Sequence, residues 1–156
     1  MKKHDITVRQ VYSLSDIALL AGILVVGLVC SFVIKGLAGL GYTILLCWVM
    51  MLPFWHHGYR IAGQDGVFSQ KEILVARECK DDILAFLDGT TDVLEHKPRM
   101  NGGALVNIYT RGKDGLILAR YFDYADFAAG KEYPLYEITP EKKRLIEEIE
   151  TQSKKN

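Results

Sequence analysis

The residues with the most chemical promise are scattered along the chain. His56 and His57 are adjacent. Neighbours on a helix point about 100° apart, so the two chelate a single ion poorly, and no HExxH pattern or cysteine partner follows them. They read as polar residues at a membrane exit, and no metal site is expected. Asp81, Asp82, Asp88 and Asp92 form an acidic group. On a helix, Asp81 and Asp88 share a face that is otherwise polar, which fits a solvated flank better than acid–base catalysis.

"HKPRMNGGA" (residues 96–104) is a stronger candidate. Lys97, Arg99, Asn101, Gly102 and Gly103 could cradle an anion through backbone N–H groups. A P-loop needs its glycines before the lysine and a helix after it, and neither is present. "ARYFDYADF" (119–127) gathers Tyr121, Phe122, Tyr124 and Phe127. In a strand, Tyr121 and Asp123 point one way and Phe122 and Tyr124 the other; one set belongs to a core, and the rest offers a partner-binding patch. No nucleophile elbow, triad spacing, metal motif or dinucleotide fingerprint occurs. No catalytic residue and no cofactor is therefore assigned, and the sequence leans away from an enzyme.

The elements that would position these groups begin with an apolar region. No charged residue occurs from Ile17 to Ile34, or from Gly36 to Trp55. As one helix, residues 17–54 would be about 57 Å long, against a bilayer hydrocarbon core of about 30 Å. Two spans fit better. The first is expected over 17–34, with Ser15 and Asp16 as cap candidates, and the second over 40–55. Lys35, Gly36, Gly39 and Gly41 then form the membrane turn, Lys35 lying at the far interface. Tyr42, Phe54, Trp55 and Tyr59 suit headgroup level.

Lys2, Lys3, Arg9, Arg60 and Lys71 flank the pair, and only Lys35 lies between the spans. Both termini are therefore expected in the cytoplasm, at the inner membrane if the source is bacterial. The apolar region is longer than a signal peptide's and a second one follows it. Cys30 and Cys47 would be offset by about 9 Å along the helices, too far for a disulfide, so Cys30, Cys47 and Cys79 are expected to be reduced.

Beyond a cytoplasmic tail (1–16), the hairpin (17–55) and a linker (56–68), a cytoplasmic α+β domain is expected over 69–152, with a frayed tail at 153–156. Lys2, Lys3, Arg9 and Lys35 are the basic residues before His56, and Asp5 and Asp16 the acidic ones. Of 19 basic and 19 acidic residues, 15 and 17 remain beyond it. That balance gives no basic footprint, and nucleic acid is not an expected partner.

Ser69 and Glu72 resemble a capping box and Gly89 a helix stop, so 69–88 reads as one amphipathic helix of about five turns. Two strands, "EILVARE" and "DILAFLD", are the competing reading. Strands are expected at 91–97, 104–111, 116–124 and 133–139, with "GKDG" (112–115) as a hairpin turn and Pro134 marking an edge strand. A helix follows Thr139 and Pro140. The fold class is thus an α-helical transmembrane hairpin followed by a small α+β domain: helix, three- to four-stranded antiparallel sheet covered on one face, C-terminal helix. The order α-β-β-β-α is similar to that of double-stranded RNA-binding domains, in order alone.

Such a chain suits a membrane-anchored binding or scaffolding protein, an accessory subunit or adaptor whose partners are the bilayer and another protein or a second copy. The alternative is a ligand-gated effector in which a small anionic ligand at Lys97–Gly103 drives oligomerisation of the spans.

Overall fold

The computed structural model describes residues 7–34, 36–94, 103–112 and 115–153, with side chains as far as 149. Two compact units are formed: Arg9–Arg60, and Ile61–Asn156 together with Met1–Val8. Mixed helix and antiparallel sheet make the fold α+β.

The first unit is built on two helices. Strand β1 (Val8–Val11) leads into α1 (Leu14–Phe32), and α2 (Ala38–Met51) leads back to β2 (Gly58–Ile61), which pairs with β1. The start of α1 lies earlier than the cap candidates suggest. Ser13 is the N-cap, and Asp16 is the third helical residue of a capping box: Ser13 Oγ accepts from the Asp16 N–H, while Asp16 accepts from the Ser13 N–H.

The reversal uses Gly36, whose φ of 94° only glycine adopts without strain. Gly39 and Gly41 are not turn residues; both lie inside α2. Gly41 serves packing instead, since a Cβ there would overlap Ser31 of α1. A Cβ on Gly27 would come within 2.8 Å of Leu45. These pairings make α1 and α2 antiparallel and put Gly41 beside Ser31 and Cys30. Trp48 Nε1 donates to the Leu20 carbonyl at 2.8 Å. Lys35 lies outside the described residues.

Polar contacts close the open end of this helix pair. Asp16, 4% exposed, accepts from the backbone N–H of His57 at 3.0 Å and contacts its Nδ1 at 2.8 Å. Tyr12 donates to the Leu52 carbonyl at 2.5 Å and stacks on His56, with ring centres 4.2 Å apart. His57 is thus a specific partner of Asp16, beyond the interfacial role expected of it. Cys30, Cys47 and Cys79 are all free thiols.

In the second unit, β3 (Phe68–Val75), β4 (Ala104–Thr110), β5 (Ile117–Asp123) and β6 (Tyr136–Glu137) pair in chain order, each antiparallel to the last. Helices α3 (Lys80–Asp88) and α5 (Pro140–Ser153) pack on one face of this sheet. Phe86, Leu87 and Ile146 close over Ile73, Val106, Ile108 and Tyr121. A short helix, α4 (Tyr124–Ala128), follows β5 directly.

The single helix expected over 69–88 does not form, and neither does the two-strand alternative. Residues 68–75 are a strand and 80–88 a helix, separated by a 3-10 turn at Arg77–Cys79. Ile73 and Val75 are buried while Glu72 and Leu74 are exposed, a period of two. Pairing along β4 therefore prevails over the local Ser69–Glu72 pattern. The stop at Gly89 is where expected, in the left-handed conformation. With its leading helix replaced by strand and helix, the chain loses the order shared with double-stranded RNA-binding domains. Residues 91–94 form no strand, and 95–97 lie outside the described residues. Nor is the sheet covered on one face only: β4 is buried along both faces from Ala104 to Tyr109.

Candidate partner-binding site

Strand β5 carries the site. Ala119, Tyr121 and Asp123 face the helices and are buried, while Arg120 and Phe122 point to the opposite face. The ladder to β6 is short. Ala119 lies opposite Tyr136, and the Ile138 N–H reaches the Ile117 carbonyl at 3.0 Å. The same register would set Tyr121 against Pro134, which has no N–H to offer, so the pairing ends. Beyond that point the edge of β5 borders a pocket of about 60 Å³, lined on the other side by Phe127 and Lys131–Tyr133.

Ion pairs hold the walls in place. Asp123 ends β5 and caps α4, accepting from the Ala125 N–H at 2.8 Å. It is 2% exposed and neutralised by Arg77, whose Nη2 donates to Oδ1 at 2.9 Å and whose Nε lies 2.7 Å from Oδ2. One turn on, Asp126 accepts from Lys80 Nζ at 2.7 Å and from the Tyr133 hydroxyl at 2.6 Å. These two hydrogen bonds hold the Asp126 carboxyl below its usual range, the Lys80 bond first; Lys80 is raised above its own by the bond to Asp126 and then by its contact with Tyr133.

Two cations approach the Tyr133 ring, Lys80 Nζ and Lys131 Nζ each lying 5.3 Å from its centre. Its edge-to-face partner is Tyr121, 5.1 Å away. The Tyr121 hydroxyl is buried without a hydrogen-bond partner among the described residues. Burial, followed by the nearby Asp123, pushes it up to about 12.

An aromatic cluster adjoins the pocket, sharing Phe122 and Phe127 with it. Phe122 packs edge-on against Tyr124 at 5.0 Å and against Phe127 at 5.3 Å. Tyr124 is 61% exposed and Phe127 51%. Across the sheet, Leu105 of β4 and Leu74 of β3 stand beside Phe122 in register, Leu105 buried and Leu74 exposed.

Of the sequence candidates, Phe122, Tyr124 and Phe127 are brought together at the surface. Tyr121 is fully buried and belongs to the core. Tyr124 begins α4, so the strand alternation stops at Asp123. Lys97, Arg99, Asn101 and Gly102 lie outside the described residues; Gly103 is described, with φ 150°. Asp81, Asp82 and Asp88 are exposed on α3 as a solvated flank, and Asp92 pairs with Lys142 at 3.2 Å. Among the described residues, no group of three or more His, Cys, Asp or Glu side chains could hold a metal ion.

Sequence reasoning missed Arg77, Lys80, Asp126 and Tyr133. A signal existed in Asp123 and Asp126, spaced as a helix cap and its first turn straight after a strand. Arg77 lies in the 3-10 turn between β3 and α3, a break that no local pattern in 69–88 marks. Comparison with protein-family models, curated proteins and solved structures finds no match.

Proposed function

We propose that the chain is a membrane-anchored adaptor: α1 and α2 form a two-span anchor, and the α+β unit presents the surface around Phe122 to a protein partner. The observation that carries this reading is the contrast within the unit. Its large apolar residues are mostly sequestered, yet Phe122, Tyr124 and Phe127 stay together, with Tyr124 and Phe127 more than half exposed. Aromatic side chains clustered in this way are the usual anchors of protein interfaces.

Exposure along the helix pair supports the anchor. Helix α1 is long and apolar enough to cross a membrane, about 28 Å by its rise. Helix α2 is shorter, but hydrogen-bonded turns carry the chain on, the Trp55 N–H reaching the Met51 carbonyl at 3.1 Å. The helix itself, Ala38–Met51, is about 21 Å long. Val25, Val26, Phe32, Leu46 and Met50 all point outward, each more than half exposed. Lipid is the solvent that suits them. The basic flanks favour both termini in the cytoplasm.

Purification of the tagged full-length protein in mild detergent tests the reading. A stoichiometric second protein is expected, and it should be lost when Tyr124 and Phe127 are both changed to Ser. A companion that ignores those changes, or none at all, would overturn it.

A further inference from the structure

We infer that the pocket between the β5 edge and Phe127–Tyr133 is a socket for one apolar side chain of a protein partner, with a carboxylate beside it in the partner's sequence. This rests on the adaptor reading and deepens it. Phe122 and Phe127 line both the pocket and the exposed cluster, so the socket lies within the proposed docking surface. At about 60 Å³ the cavity lies well below the ~300–1,000 Å³ that small-molecule sites occupy. A single inserted anchor fits that size, and the adjoining aromatic surface can contact the residues on either side of it.

Charge selects the neighbour of that anchor. Asp123 is answered by Arg77, Asp126 by Lys80, and Glu132 lies 3.8 Å from Arg120. Lys131 is exposed and has no carboxylate within ion-pair distance among the described residues; its ammonium rests on the Tyr133 ring. In a unit whose sequence is net acidic, the groups around this pocket therefore carry one more cation than carboxylate, although Asp126 also feels Lys131. A carboxylate flanking the inserted side chain would meet it.

Isotope-labelled full-length protein in detergent micelles, titrated with Ac-Asp-Phe-Asp-NH2, tests the socket. The ring and amide resonances of Phe122, Phe127 and Tyr133 should shift saturably, with a Kd on the order of 1 mM. Binding should weaken about tenfold for Ac-Asp-Ala-Asp-NH2, and similarly for Lys131→Glu. The Lys131→Glu protein should instead favour Ac-Lys-Phe-Lys-NH2, which would show that it remains folded. No saturable shift, or equal shifts from all three peptides, would overturn the socket. Binding of N-acetylphenylalanine as tight as that of the tripeptide would also overturn it, in favour of a small-carboxylate site. A silent titration alongside intact capture of a companion that depends on Tyr124 and Phe127 would remove the socket and leave the adaptor reading standing.

Discussion

The helix pair and the α+β unit use similar apolar residues in opposite ways. In the α+β unit, Ile73, Phe86, Val106 and Ile108 are sealed from solvent. In α1 and α2, Val25, Val26, Leu46 and Met50 face outward, and the positions between the helices go to Gly27, Ser31 and Gly41. One unit is organised by excluding water from its interior. The other is organised by close backbone approach and a few hydrogen bonds, the pattern that the proposed membrane anchor calls for. Each unit should therefore be damaged by a different kind of substitution.

The largest contrast comes from truncating side chains. Phe86→Ala should cost the α+β unit about 3 to 5 kcal/mol, read from urea unfolding of the full-length protein in detergent. Val25→Ala should change stability by less than about 0.5 kcal/mol; a loss comparable to that of Phe86→Ala would break the contrast. Next comes enlargement. Gly41→Val should cost about 2 to 3 kcal/mol by forcing α1 from α2, with loss of the Trp48–Leu20 hydrogen bond and altered Trp48 emission. Gly112→Val, where added atoms meet open space, is the control expected to be near neutral.

Polar closure should matter somewhat less. Asp16→Ala leaves the Ser13 and His57 N–H groups without their acceptor and should cost about 1 to 2 kcal/mol, seen as earlier thermal loss of the helix pair. The smallest effect concerns pH. Lys80 is raised above its ordinary 10.5 and Tyr121 from 10.0 to about 12. Folding holds both groups protonated where the unfolded chain releases its protons, so the α+β unit should lose stability as pH rises above about 10. Asp126 is lowered from 3.8, so its contribution is present above that value and is lost as pH falls further. Melting curves of the wild type and Lys80→Met from pH 3 to about 11.5 check both signs, the variant having the flatter profile.

Much of the framework was legible. Uncharged runs located the two apolar helices, and β-branched and aromatic runs located β4 and β5. Gly89 and Pro140 marked helix ends because local backbone preferences act there. Residues 69–88 were misread because a strand followed closely by a helix can place its apolar residues on one face of a helical wheel. Only pairing with β4, far along the chain, decides between the two. The aromatic cluster was visible as composition, but its division was not, since Asp123 capping α4 ends the alternation just before Tyr124. The Asp126–Lys80–Tyr133 contacts and the pairing of Asp16 with His57 join residues distant in sequence, or on elements not yet identified, and no local pattern encodes them.

The two-span anchor is tested most directly by single-cysteine labelling in intact and opened membranes, with Cys30, Cys47 and Cys79 replaced by Ser or Ala and one new cysteine placed at Thr7, Gly36 or Ser69. Thr7→Cys and Ser69→Cys should react with a membrane-impermeant maleimide only from the cytoplasmic side, and Gly36→Cys only from the opposite side. Labelling of Thr7→Cys and Ser69→Cys from opposite sides would leave a single crossing. Labelling of all three from one side would mean that the helix pair does not cross, and either result would contradict the two-span anchor.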